Sequence, residues 1–221
     1  MILVNAKKSA ANCLRPAVFI DRDGTINHDT NYVNRPDQLK LLPGAAEGIR
    51  LLNQNNILAV VASNQSGVAR GYLTIKTLEA IHRKLKALLK RQGARLDAIY
   101  YCPYHPEEKH HCRKPDIGMG LAAQNDLGID LIRSYMIGDS QSDMEFARNL
   151  GVKKALVLSG KSNGREVWVK KTGVDCLAHD LLGAALWIVD DLKLGESRRG
   201  GRITGRPELR SQKHATSQSL R

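Results

Sequence analysis

The stretch AVFIDRDGTIN, Ala17 to Asn27, decides the fold: four apolar residues end abruptly in two aspartates and a glycine. A short apolar run of this kind is the pattern of a strand buried on both faces, as in a parallel sheet. In such sheets ligands bind outside the carboxyl ends of the strands, which directs attention to the polar residues closing the run. Asp21 and Asp23 stand at i and i+2, on the same side of extended chain, so both can face one ligand. One carboxylate can attack phosphorus, and the second can protonate the leaving oxygen and then deprotonate the attacking water. Gly24 permits a sharp turn, and Thr25 can support it.

Working outward, apolar runs over Ile57–Ser63, Ala98–Tyr101, Ser134–Asp139 and Lys154–Ser159 read as further strands. Helical periodicity is expected over about 44–54, 74–92, 118–126, 141–149 and 179–192. In the longest, Thr74 can cap the start, and Ile75, Leu78, Ile81, Leu85, Leu88 and Leu89 fall on one face before Gly93 ends it. Strands alternating with helices predict an α/β fold, a three-layer sandwich around a mostly parallel sheet.

The second run closes on Ser63, Asn64, Gln65 and Ser66, hydroxyl and amide donors followed by Gly67, which allows close approach of backbone to a phosphate. Arg113 and Lys114 precede Pro115, whose ring forces Lys114 out of helical geometry into a loop. A lysine held there can neutralise a phosphoryl oxygen, and the arginine can fork onto a second anionic or hydroxyl group. The run before Asp139 is followed by a helix with Asp143 in its first turn. One of these carboxylates can bind a hard cation, for which magnesium is suited, while the other holds a ligand or Lys114.

Together DRDGT, SNQSG, RKP and GDSQSD resemble, in order and spacing, the four signature segments of the haloacid dehalogenase superfamily of aspartate-nucleophile phosphatases, over about 17–160. The resemblance implies a Rossmann-like domain with Asp21 as nucleophile and magnesium ligand. It implies Asp23 as acid and base with its backbone carbonyl on the metal, Ser63 and Lys114 on the phosphate, and Asp139 on the metal. INHDTNYVNRPDQLKLLPGA, SNQSGVARG and YYCPYHPEEKHHCRKP are similar to the D-glycero-D-manno-heptose 1,7-bisphosphate 7-phosphatases and the related histidinol-phosphate phosphatases, which lack large cap domains. That likeness implies a small phosphorylated sugar or amino-alcohol substrate, touched by Asp29, Thr30, Asn31, Tyr32, Ser63, Asn64, Gln65, Ser66, Arg113 and Lys114, and a place in carbohydrate metabolism, in lipopolysaccharide precursor biosynthesis. Ser140 departs from the lysine that some heptose enzymes carry after the metal-binding aspartate.

These relatives also bind zinc through Cys-x-His followed by Cys-x-Cys before Arg-Lys-Pro; here the positions read Cys102, Tyr104, His110 and Cys112. Tyrosine is a poor zinc ligand, so the resemblance implies a structural zinc on Cys102, His110 and Cys112 with His105, or alternatively His111, as the fourth ligand.

Composition agrees with a globular enzyme. The chain has 221 residues, 42% hydrophobic and 25% charged, enough for one domain, and no apolar stretch nears the roughly 20 residues that cross a bilayer. The order of apolar and basic residues at the N-terminus is the reverse of a signal peptide, which predicts a cytoplasmic protein. Four scattered cysteines predict reduced thiols rather than a disulfide framework. Of the +12 net charge, Arg198, Arg199, Arg202, Arg206, Arg210, Lys213 and Arg221 crowd the C-terminus. That composition predicts a disordered basic tail over 193–221, the N-terminus over 1–16 reads as a short leader strand or a loose arm, and the resemblance implies a haloacid dehalogenase-like phosphatase domain over 17–192. The tail prompts a second hypothesis, polyanion binding. A body with only 5% aromatic residues and no recognition motif argues against a specific nucleic-acid partner. The enzyme is expected to act as a monomer.

Overall fold

The structure is a computed structural model that describes residues 2–4 and 14–200. Seven strands form one sheet: β1 (Ile2–Val4), β2 (Ala17–Ile20), β3 (Leu58–Asn64), β4 (Ala98–Cys102), β5 (Tyr135–Gly138), β6 (Lys153–Val157) and β7 (Cys176–Ala178). Their order is β1-β4-β3-β2-β5-β6-β7. All neighbouring pairs from β4 to β7 are parallel, and β1 adds antiparallel to the β4 edge with Ile2 opposite Tyr101. The helices are α1 (Ala45–Gln54), α2 (Ile75–Arg91), α3 (Gly118–Leu127), α4 (Gln141–Leu150), α5 (Val167–Thr172) and α6 (Leu181–Gly200).

Strand residues alternate between two cores, as the pleat dictates. Val18, Ile20, Val61 and Ile99 pack under α1, α2 and α6, while Phe19, Val60, Tyr100 and Met136 pack under α3 and α4. Because both faces are covered, the central strands are apolar throughout, which is why they stand out in the sequence. On α2, Leu78, Ile81, Leu85 and Leu89 are buried, and Thr74 Oγ1 accepts from Thr77 N at 3.1 Å to start the helix. A Leu85→Ala change would cost about 2–5 kcal/mol through lost transfer energy and the cavity left behind.

The expected strands and helices all form, most with ends shifted by a residue or two. Of the strands and α-helices, β7 and α5 escape the sequence pattern, each too brief to set up a period, while β1 forms where a short leader strand was one of two readings. The expected arm is not wholly separate, since β1 joins the sheet and Arg15 bridges to Ile129. The last helix does not stop at Leu192 but continues to Gly200, which corrects the expected start of the tail at 193. Seated on the core by Leu181, Ala184, Ala185 and Ile188, it elongates cheaply through the following residues. The rest of the expected tail, 201–221, lies outside the described residues. No separate cap domain is present among the described residues, and none of their helices is long and apolar enough to cross a membrane.

Candidate active site

The central strands β2, β3 and β5 end side by side, and the loops that follow them enclose a cavity of about 310 Å³. Asp21 follows β2, and its backbone N–H donates to Ile137 O at 2.9 Å, tying that tip to β5. Ser63 and Asn64 end β3, and Asp139 follows β5. Lys114 arrives from the loop between β4 and α3. Its Nζ lies 2.7 Å from Asp21 Oδ1 and 2.5 Å from Asp143 Oδ1.

The carboxylate oxygens of Asp21, Asp139 and Asp143 all lie within 4.8 Å of one another. One lysine faces three carboxylates, those of Asp139 and Asp143 buried and that of Asp21 partly so, and the electrostatics register the deficit. Burial pushes Asp21 up to about 7, with Asp143 and Asp139 adding to the rise against the pull of Lys114. Burial and Asp143 likewise push Asp139 up to about 6. Lys114 is held above the ordinary lysine range: burial opposes its charge, but Asp143 and Asp21 outweigh it. Asp143 is fixed by α4, where its Oδ2 accepts from Ser140 N at 3.1 Å and Ser140 Oγ at 2.6 Å. The backbone packs tightly here: a Cβ on Gly24, which has φ +84°, or on Gly160 would run into the Asp139 carboxylate.

Asp23 has a different environment. Arg22 Nη2 donates to its Oδ2 at 2.8 Å, Asn27 Nδ2 to Oδ1 at 2.9 Å and Gln65 Nε2 to Oδ2 at 3.0 Å. Burial would raise its pKa, but Arg22 and then the two amides hold it below the usual carboxylate value. This is the form able to take a proton from water.

Of the substrate contacts expected from sequence, Asp29, Asn31, Tyr32, Ser63, Asn64, Gln65, Ser66, Arg113 and Lys114 line the cavity. Thr30 does not. Asp29 Oδ1 accepts from Asn31 N at 2.9 Å, Asn31 takes φ +69°, and the turn leaves Thr30 exposed. Asn64 and Gln65 spend their amides on the protein itself, Asn64 on Lys114 and Gln65 on Asp23 and Ser63. Arg113 is aligned differently: its Nη1 is buried and finds no hydrogen-bond partner among the described residues, with Arg70 close enough to depress its pKa further after burial.

Sequence reasoning missed Arg22, Asn27, Arg70 and Lys161, which line or support this cavity; Lys161 Nζ lies 3.2 Å from Asp29 Oδ2 across the opening. It also missed His82, behind Arg22. A signal existed for that residue, since His82 stands four positions after Leu78 and three before Leu85, inside the apolar stripe of α2.

Beside the cavity, Cys102, His110 and Cys112 bring ligand atoms within 4.8 Å of one another. Both cysteines are buried, and burial together with Cys102 pushes the Cys112 thiol up to about 12. His105 does not join this group: its Nδ1 accepts from Glu107 N at 3.4 Å as the cap of the short turn at Pro106–Glu108. The His105 ligand expected from sequence is thus turned to the cap, because Pro106 and Glu107 start a helical turn directly after it. Tyr104 stacks on His110 with ring centroids 3.9 Å apart.

Carboxylates gathered around a buried lysine at the tips of a parallel sheet fit a hydrolase of the haloacid dehalogenase class, and the family model for HAD-hydrolase-like proteins matches residues 111–184. The chain is 40% identical to the D-glycero-D-manno-heptose-1,7-bisphosphate 7-phosphatase of Thermosynechococcus vestitus, over 80% of this chain and 97% of that protein. It is 41% identical to the D-glycero-beta-D-manno-heptose-1,7-bisphosphate 7-phosphatase of Escherichia coli K12, over 66% of this chain and 81% of that one. Among solved structures, the D,D-heptose 1,7-bisphosphate phosphatase from B. bronchiseptica, complexed with magnesium and phosphate, superposes with a TM-score of 0.72 at 34% identity, covering 80% of this chain and 99% of that one. The chain belongs to the heptose-1,7-bisphosphate 7-phosphatase family of haloacid dehalogenase-like phosphoric monoester hydrolases.

Proposed function

We propose that the chain removes the 7-phosphate of D-glycero-D-manno-heptose 1,7-bisphosphate in a magnesium-dependent reaction, through an aspartyl-phosphate on Asp21. The observation that carries this reading is the buried contact of Lys114 with Asp21 and Asp143 beside Asp139, in a chain whose relatives bear that activity in their names. Asp21 Oδ attacks phosphorus, and Lys114 stabilises charge on the phosphoryl oxygens. Asp23, in its acid form, gives a proton to the departing sugar oxygen; as the carboxylate it then takes one from the water that cleaves the acyl phosphate. Ser63 offers a hydroxyl to the same phosphate, and a bisphosphate suits the second cationic end of the cavity, where Arg113 keeps an unmet Nη1 near Arg70.

The donor set fits a hard divalent cation: Asp21, Asp139 and the Asp23 backbone carbonyl would hold magnesium, with Asp143 committed to Lys114. When bound, the cation neutralises charge on the phosphoryl group. Cys102, His110 and Cys112 fit a structural zinc, which would stiffen the loop that carries Arg113 and Lys114.

Purified protein offered heptose 1,7-bisphosphate, histidinol phosphate and simple sugar phosphates with magnesium tests the reading. Preferred release of the 7-phosphate is expected. A preference for histidinol phosphate, or no hydrolysis, would overturn it.

A further inference from the structure

Behind Asp23 lies a buried pair that none of the steps above uses. Arg22 is 1% exposed, among the largest fully buried side chains, and its guanidinium forks onto the neighbouring carboxylate. Nε reaches Asp23 Oδ1 at 3.1 Å, and Nη2 reaches Oδ1 at 3.0 Å and Oδ2 at 2.8 Å. Asn27 and Gln65 hold one oxygen each, whereas Arg22 bonds both. With two of its nitrogens spent on Asp23, the guanidinium turns its remaining one, Nη1, to His82 Nε2 at 3.4 Å.

Arginine has donors only, so the imidazole nitrogen must accept, and His82 is a neutral ring with its proton on Nδ1. Burial and Arg22 agree with this, pushing His82 down to about 3. His82 Nδ1 finds no hydrogen-bond partner among the described residues, and the ring sits fully buried on the face of α2 that carries Leu78, Ile81 and Leu85. An unmet N–H in an apolar core is unfavourable, so packing alone would be better served there by leucine. What the histidine supplies and leucine cannot is an acceptor for Arg22.

We propose that His82 is a positioning residue for catalysis: by accepting from Arg22 Nη1 it fixes the plane of the guanidinium, and the guanidinium in turn aims the Asp23 carboxylate at the leaving and attacking oxygens. This rests on the reading of Asp23 as acid and base given above.

The test compares His82→Leu, His82→Gln, Arg22→Lys and Asp23→Asn with the wild-type enzyme, on heptose 1,7-bisphosphate and on p-nitrophenyl phosphate, with rates taken per folded molecule by circular dichroism. Leucine removes the acceptor, glutamine supplies one in its side-chain oxygen, and lysine keeps the Arg22 charge without the fork. In His82→Leu and Arg22→Lys, kcat on the sugar phosphate should fall about ten- to a hundredfold with little change in KM, since misaligned proton transfer is costly. The loss in kcat/KM, which reports transfer of the phosphoryl group to Asp21, should be much smaller on p-nitrophenyl phosphate, because that phenolate leaves without a proton, whereas hydrolysis of the aspartyl phosphate is slowed alike for both substrates. His82→Gln should recover most of kcat. If His82→Leu does not fold, Arg22→Lys and His82→Gln carry the same comparison. Wild-type kcat in the leucine and lysine variants, or equal losses of kcat/KM on both substrates, overturns the positioning role while a severely impaired Asp23→Asn leaves the reading of Asp23 standing. Wild-type turnover in Asp23→Asn removes that reading and this inference with it.

Discussion

Asn64 grips the backbone of Lys114 from both sides, its Oδ1 accepting from Lys114 N at 3.0 Å and its Nδ2 donating to Lys114 O at 3.1 Å. The tip of β3 thereby holds a residue from the loop after β4, and the ammonium that reaches Asp21 and Asp143 is aimed from an anchored backbone. Replacing Asn64 with alanine leaves a buried backbone N–H and C=O without partners. The expected result is a loss of about 1–3 kcal/mol of stability and of about ten- to a hundredfold in kcat. Chemical denaturation and steady-state kinetics measure both, and an unchanged kcat would show that Lys114 is aimed by its side-chain contacts alone.

Asp21→Asn should retain the fold and lose turnover to below about a thousandth, because an amide is a poor nucleophile. Asp23→Asn should be severely impaired while still able to accept phosphate on Asp21. Mass spectrometry of the Asp23→Asn protein after brief exposure to substrate should find the phosphoryl adduct on Asp21; an adduct elsewhere would reassign the nucleophile.

Magnesium removal should expose the strain among the carboxylates. In the metal-free protein burial, aided by neighbouring carboxylates, holds Asp21 near about 7 and Asp139 near about 6, against an ordinary value of 3.8. Between those values the folded state keeps protons that the unfolded chain has released, so stability from these groups is full below the unfolded value and is lost as pH rises through 6 to 7. In chelator, the melting temperature should fall from about pH 5 to about pH 7.5 more steeply for wild type than for Asp21→Asn, where position 21 cannot titrate. Adding magnesium should flatten the wild-type curve, since the cation replaces the protons. Parallel curves for the two proteins would mean that Asp21 ionises normally.

Zinc content separates the ligands that the fold gathers from those it does not. Protein purified without added metal should carry about one zinc per chain by elemental analysis. Cys112→Ser should lower that sharply, whereas His105→Ala should leave it nearly unchanged, because His105 caps the turn at Pro106–Glu108. Zinc near zero in the wild type would refute the site, and its loss in His105→Ala would show that the histidine swings in to bind.

The parallel sheet and the strand tips were legible because burial on both faces makes each central strand a closed apolar run, and the residue ending that run must lie at the ligand-binding edge. Asp21, Ser63 and Asp139 could be picked from one dimension for that reason. The short strand β7 and helix α5 left no such mark: three and six residues cannot establish a period, and their neighbours in space, not their own pattern, hold them. The chain's chemistry was likewise written in its residue types, while their partners were not. Asp143 could be read as a metal ligand or as the holder of Lys114, and only the meeting of α4 with the loop after β4 makes it the second. His105 suited the zinc pattern that the resemblance implied until the turn after it claimed the ring, and nothing along the chain marked Arg22 before α2 packed His82 behind it. Local pattern records which face of an element is buried; which polar groups then satisfy one another depends on contacts between residues distant along the chain, and those exist only once the layers have packed.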